Sequence, residues 1–298
     1  MCWSAFSIRA FGQLGRRAID MKLLKQLLRS PFFVLGAGLF LLTLSFGLLG
    51  PLFMNLDVNT RVGLAYMPPS ASHWLGTDHM GVDMISMLVA GLRSSLYVGF
   101  LAGTVATSVG TLIGLYGGYK GGLIDDVLTV GTNLFLVIPS LIVLILLSAS
   151  VENGRSLTLI ALIIGCTTWT WSARAVRAQA VSLRNRDHVA LARINGFGTL
   201  GIVFFHIMPY LLSYIFMVFI LQMAAGILSE ASLSMLGLGP YDSVSLGKIL
   251  NEAKTNEALT DGAWWAFAPA MVLITTIVFS LYVINTSLEG VFNPRLRK

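Results

Sequence analysis

The sequence predicts an all-α integral membrane protein of six transmembrane helices with both termini in the cytoplasm. Three observations lead there. Of its 298 residues, 55% are hydrophobic and only 11% charged, with a mean hydropathy of +0.78. Soluble domains carry roughly a quarter charged residues, so this much apolar surface needs lipid as its solvent. Six segments, at about 31–54, 94–118, 125–150, 157–175, 203–226 and 265–288, are apolar and long enough to span, because crossing ~30 Å of hydrocarbon takes about 20 residues. The cations are also asymmetric. One side collects Arg9, Arg16, Arg17, Lys22, Lys25, Arg29, Lys120, Arg174, Arg177, Arg184, Arg186, Arg193, Arg295, Arg297 and Lys298. The other has only Arg61, Arg93, Arg155, Lys248 and Lys254, and the basic side of a membrane protein is the cytoplasmic one.

The net charge of +6 therefore orients the chain in lipid and is no sign of a nucleic-acid partner. Cys2 and Cys166 are far apart, which leaves no disulfide framework and no paired-cysteine metal site. The basic segment 1–30 followed by an apolar run imitates a signal peptide. That run is long and lacks a small-residue cleavage site, so 31–54 reads as an uncleaved first span. Met21, followed by Lys22, is an alternative start, with residues 1–20 as an upstream extension.

Residues 55–93 form an extracytoplasmic loop. Its HWLGTDHMGVDMISMLVAG reads as a turn followed by an amphipathic helix lying on the outer surface. Asp78 and Asp83 are too few oxygen ligands for a calcium site and fit turn formation and helix capping. Residues 94–288 then make a five-helix core. Its first span carries Gly110, Gly114 and Gly118 four apart, a spacing that lets a neighbouring helix backbone approach closely in lipid. The inner turn YGGYKGG has no GK[ST] ending, so it is no phosphate-binding loop, and Lys120 serves as an inside anchor.

Pro139 sits in the middle of the next span and breaks it, either as a hinge lining a pathway or as a plain kink. Span four ends in TTWTWSARAVRAQAVSLRNRD. There Trp169 and Trp171 mark the inner interface, and the helical pattern continues into the cytoplasm. The cytoplasmic loop 184–202 follows. Span five leads to Glu230, placed at the outer boundary by the helical rise, in a hydrogen-bonded role or in contact with substrate. GLGP at 237–240 stops the helix. The rest of the outer segment 227–264 leads to Trp264 and Trp265, which anchor span six, and residues 289–298 form a cytoplasmic tail. His206 stands alone, capping or facing the interface. The twelve methionines are scattered as apolar filler and suggest no bare metal. No cofactor motif and no catalytic motif appears.

The stretch Arg184–Pro209 reads ALA at 190–192, glycine at 196 and proline at 209. It resembles the cytoplasmic "EAA" loop of permease subunits in bacterial and archaeal ATP-binding-cassette importers. LGTDHMGVD, GGYKGGLIDDVL, WSARAVRAQAVSLRNRDHV, EASLSMLGLG and the closing NPRLRK are similar to motifs of the second, C-type permease of the dipeptide/oligopeptide/nickel import family, in the same order. The resemblance covers nearly the whole chain from about Leu24. It implies a type I importer permease fold in a prokaryotic inner (cytoplasmic) membrane. Its partners would be a homologous second permease, two cytosolic ATPase subunits, an extracytoplasmic binding protein and membrane lipid.

It further implies that Asp187, Ala190, Leu191, Ala192, Arg193, Gly196 and Pro209 form the element on which the ATPase docks. Small side chains at 190 and 192 would let the helix sit close to that partner, and Gly196 would make a turn that a side chain obstructs. Pro139 and Glu230 are candidates for the pathway or its gate. The chain departs from the family in having Ala190 where the glutamate stands and Val82 in place of an arginine, a change expected to loosen an outer-face contact. The implied cargo is peptide, with oligosaccharides or nickel complexes as alternatives, and ATP hydrolysis would fall to partner subunits. An ion-coupled carrier would need mid-membrane charges and internal repeats, which the sequence lacks.

Overall fold

The computed structural model describes residues 27–53, 57–151 and 155–292. The basic segment up to residue 26, with the alternative start at Met21, and the NPRLRK tail lie outside them. The described residues are helical, with one isolated antiparallel bridge between Thr77 and Asp83. The helices are α1 (Pro31–Phe53), α2 (Met84–Lys120), α3 (Gly122–Val137), α4 (Ser140–Ala149), α5 (Leu157–Leu183), α6 (Asp187–Ile194), α7 (Thr199–Ile202), α8 (Met208–Met235), α9 (Leu246–Thr255) and α10 (Ala268–Phe292). Five stretches are long and apolar enough to cross a membrane alone: α1, α2, α5, α7 through α8, and α10 with the short turn before it. α3 and α4 meet at 77° and make a sixth crossing only as a pair.

α2 is the axis of the bundle. Its 37 residues carry glycines where α5 and α8 pass. A Cβ added at Gly110 would stand 2.5 Å from Ser172 Cβ, one at Gly114 2.5 Å from the Ala173 carbonyl, and one at Gly118 2.9 Å from Ala180 Cβ. α5 therefore lies on α2 backbone to backbone. On a second face, Gly99 and Gly103 meet α8 at Ile227 and Met223. α1 reaches the bundle by similar means, with Gly36 against Val283 of α10 and Gly50 against Val89 of α2.

The start of α2 differs from expectation. Residues 84–93 are no separate surface helix. They are the first turns of α2, and Met84 through Val89 are buried in protein. Asp83 sets this start, its Oδ1 accepting from Ile85 N at 2.9 Å and Ser86 N at 3.2 Å. Asp78 closes the preceding turn by accepting from Met80 N and Val82 N at 2.9 and 2.7 Å. Val82 is only 4% exposed and packs in the core, so valine here fills an apolar site and loosens no outer contact. The loop is tied to the far end of the chain by Trp265 Nε1–H, which donates to the Thr77 carbonyl at 3.2 Å.

Glu230 organises the half of the bundle around the start of α2. It has no exposed surface and accepts from Ser95 Oγ of α2 at 3.1 Å and from Ser234 Oγ of α8 at 2.6 Å. Ser95 Oγ in turn accepts from Leu246 N at 3.2 Å, which holds the first turn of α9. One carboxylate thus joins three helices. A buried acid is tolerated when its oxygens are hydrogen-bonded.

Two outcomes test this packing. Gly114→Val forces α2 and α5 apart and lowers the stability of the detergent-solubilised protein by about 1–3 kcal/mol, the usual cost of overpacking. Gly131→Ala, with nothing within 4 Å of the added Cβ, stays within about 1 kcal/mol of the parent. Thermal unfolding of the two variants makes the comparison. Glu230→Ala leaves two buried serines without their acceptor and costs about 1–3 kcal/mol. Glu230→Gln, which keeps an acceptor oxygen, costs less in the same assay.

Candidate functional site

α6 is a two-faced helix. Val189 and Ala192 point inward into a cluster with Val176 and Ala180 of α5, Leu115 of α2, and Ile202, Val203 and Ile207. Ala190, Leu191, Arg193 and Ile194 face outward, and with Phe197 and Leu200 they give an exposed apolar ridge on which Ile194 is 82% exposed. Asp187 is exposed in the first turn of α6, where a carboxylate suits the helix dipole. The arginines of this stretch are exposed or half-buried, and Arg193 stands 5.9 Å over the Tyr119 ring, a cation–π contact that ties the ridge to the end of α2.

Two expected roles change. Ala192 is only 2% exposed, so its small side chain belongs to the buried cluster within the chain and to no outside surface. Gly196 has open space around its Cβ position but a φ of +79°. Its N–H donates to the Arg193 carbonyl and Phe197 N–H to the Ala192 carbonyl, at 3.1 and 3.2 Å. This is the Schellman ending, which calls for a left-handed residue after the cap. Glycine is required here by backbone conformation, since no neighbour obstructs a side chain.

Pro209 lies at the N-terminal turn of α8, and a π turn over Val203–Ile207 precedes it. Proline offers no N–H to the carbonyl four residues back. The chain widens there, and Met208 N–H donates five residues back to the Val203 carbonyl. His206 occupies this turn with its ring edge-on to Phe197 at 4.8 Å, so it packs inside the loop. His188 of α6 faces Tyr210 at 4.4 Å, a contact that no sequence spacing signals.

The second feature is a cleft of about 660 Å³ beside the break between α3 and α4. Pro139 starts α4, and Ile138 before it is extended, as a residue preceding proline prefers; the helix ends there for that reason. Pro139 and Ser140 line the cleft with Thr167, Thr168 and Trp171 of α5, Gln222 and Ser229 of α8, and Tyr282 of α10. Gln222 Nε2 donates to the Thr168 carbonyl at 2.9 Å and to Ser172 Oγ, which joins α8 to α5 along the wall. The lining carries hydroxyls, an amide and aromatic rings, and no formal charge. Such a surface exchanges hydrogen bonds with peptide-like groups without holding them by charge.

Pro139 belongs to this cleft, whereas Glu230, buried among serines, does not. Gly110, Gly114 and Gly118 support it from behind by seating α5 on α2. Trp171 faces the cleft and Trp169 packs on Phe135 at 5.8 Å, so both tryptophans work between helices. The cleft residues on α8 were missed in the sequence, although Gln222, Ala225 and Ser229 share one helical face and interrupt an apolar span. The ridge was missed for a similar reason. Leu191 and Ile194 are three apart in a polar loop, a pattern overshadowed by the Ala/Gly/Pro spacing.

Known proteins are similar to this chain in sequence. Residues 110–298 match the family described as binding-protein-dependent transport system inner membrane component. The chain is 32% identical over 267 residues to the oligopeptide transport system permease protein OppC of Bacillus subtilis, covering 89% of this chain and 86% of that one. It is 32% identical to the dipeptide transport system permease protein DppC of the same organism, covering 88% and 82%. It is 32% identical to OppC of Mycobacterium tuberculosis strain H37Rv, covering 81% and 83%. The matched region contains the α5-facing glycines of α2, the broken helix, the ridge and the cleft. With its apolar helices and this similarity, the chain is a multi-pass membrane protein of the binding-protein-dependent transport system inner membrane component family.

Proposed function

We propose that this chain is the C-type permease subunit of an ATP-driven peptide importer, forming one half of a pathway that a homologous permease completes. Two cytosolic ATPase subunits drive it, one of them docked on α6, and an extracytoplasmic binding protein delivers the cargo. Both termini lie in the cytoplasm, in keeping with the bias of Lys and Arg toward the α6 side. The observation that carries this reading is the two-faced α6, with Leu191 and Ile194 exposed beside Phe197 and Leu200 of the following loop, and Val189 and Ala192 buried in a cluster shared with α2, α5 and the turn before α8. An apolar ridge in a basic loop beyond a span has no lipid to cover it and suits a groove on a soluble partner.

In this reading Asp187 and Arg193 flank the ridge and set its register on the ATPase, the part played by the family glutamate that Ala190 replaces. Gly196 fixes the exit angle of the chain, and Pro209 sets the π turn at the foot of α8. ATP-driven closure draws the α6 helices of the two permeases together and switches the cleft between inward-open and outward-open states. Pro139 acts as the hinge beside the cleft. Glu230 holds the outer gate region rigid and touches no cargo. The relatives named for oligopeptides and dipeptides and the uncharged hydrogen-bonding lining favour peptide over oligosaccharide or nickel complexes. Hydrolysis of ATP belongs to the partner subunits.

The reconstituted complex in liposomes takes up radiolabelled di- to pentapeptides only with ATP and binding protein. Uptake of oligosaccharide in place of peptide would reassign the cargo. Asp187→Lys, or Leu191→Asp with Ile194→Asp, weakens co-purification of the ATPase about tenfold, the loss of ~1.4 kcal/mol. Unchanged co-purification would reject α6 as the docking element. Gly196→Val loses uptake more severely than Gly196→Asn, because asparagine tolerates the left-handed region and a β-branched residue does not.

A further inference from the structure

The geometry points to the Arg177–Asp125 pair as the link by which movement of α6 reaches the cleft; Arg177 and Asp125 are positioning residues for transport. The inference rests on the transporter reading above and concerns how its parts are joined.

α3 is attached in an unusual way. Among the described residues, none from 122 to 137 belongs to any buried hydrophobic cluster. The buried positions of α3 are two polar ones, Asp125 and Thr132, and Leu123 and Val137 at its two ends are largely exposed. Its side-chain hydrogen bonds to α5 are polar and come from one face of that helix. Arg177 donates through Nε and Nη2 to the two oxygens of Asp125 at 2.5 and 2.7 Å. Three residues earlier on α5, Arg174 Nη2 donates to Asn133 Oδ1 at 2.8 Å. α2 makes room for the pair, since a Cβ at Gly117 would stand 3.3 Å from Asp125 Oδ1. The forked, two-bond geometry transmits direction as well as attraction.

Arg177 also lies beside the apolar cluster that α6 enters. Val176 and Ala180 of α5 belong to the same buried cluster as Val189 and Ala192 of α6. A displacement of α6 therefore acts on the same turn of α5 that holds Asp125. From there it passes along α3 to the break at Ile138 and Pro139, which borders the cleft. α4, on the far side of the break, is fixed separately, with Leu144 buried against Ile160 and Ile164 of α5. One arm of the bent pair thus enters a buried apolar cluster, and the other is held to α5 by the charged clasp and, near the break, by Phe135 on Trp169. A helix outside the buried apolar clusters can be carried as a lever about its proline.

The test uses the complete reconstituted transporter carrying Asp125→Asn, Arg177→Gln, or the swap Asp125→Arg with Arg177→Asp. Peptide uptake and ATP hydrolysis are measured on the same vesicles, with spin labels at Val130 on α3 and Asn195 beside α6. Each single variant assembles and hydrolyses ATP but loses uptake per ATP by about tenfold, within the usual span of site-to-site coupling. The swap recovers a substantial part of the loss. In the parent the label distance holds or shifts as one sharp population between ATP-bound and nucleotide-free states; in the single variants it broadens. Uptake per ATP and label distances that match the parent in the single variants would overturn the link. So would single variants that fail only in assembly, or a swap that restores assembly and not uptake. If the parent hydrolyses ATP and moves no peptide, the cargo assignment fails while the label distances still decide the link.

Discussion

The close approach of helix backbones along α2 is the constraint on which the rest of the protein depends. In lipid, burial of apolar side chains gives helices no preference for each other over the acyl chains, so association rests on tight packing and on polar contacts. Gly110, Gly114 and Gly118 bring α5 to within van der Waals reach of the α2 backbone, and Gly99 and Gly103 do the same for α8. Every functional feature hangs from these two contacts. The cleft is walled by α5 and α8, and α6 continues α5. The outer carboxylate also needs α2 and α8 to be close enough for Ser95 and Glu230 to meet.

Polar side chains are few and are placed where they decide geometry. At the end where α2 begins, Glu230, itself without exposed surface, draws α2, α8 and α9 together through hydroxyl groups. Toward the other end Arg177 and Asp125 join α5 to α3. Between them lies the uncharged cleft. The arrangement separates a half in which apolar clusters and Glu230 hold α2, α4, α5, α8 and α9 from α3, which enters none of those clusters and is held by polar contacts and by Phe135 on Trp169. Such a division suits a protein that must change its opening without losing its fold.

α6 shows how one short segment meets two demands. Eight residues are too few to be stable as an isolated helix. α6 forms because Val189 and Ala192 enter an existing core and because Gly196 closes its end. That leaves Leu191 and Ile194 free to face outward with little room to adjust, and a surface held rigidly by its own core can pass force to the helix behind it.

Much of this was legible in the chain itself. Composition and run length determine the membrane helices, the cations determine their proposed orientation, and the order of motifs identifies the family. Asp83 as a cap and the close-packing glycines follow from local rules that read only neighbouring residues. Tertiary structure alone decided which face of α6 turns inward, since Ala190 and Ala192 look alike in sequence and only Ala192 is buried. It made residues 84–93 part of α2, because Met84 through Val89 and Leu92 are buried in the bundle and do not lie on a membrane surface. It brought Glu230 to Ser95 and Asp125 to Arg177 across 135 and 52 residues. A single sequence records propensities and periods. It holds no record of which distant polar groups must find each other once water is gone, and that choice belongs to the packed bundle.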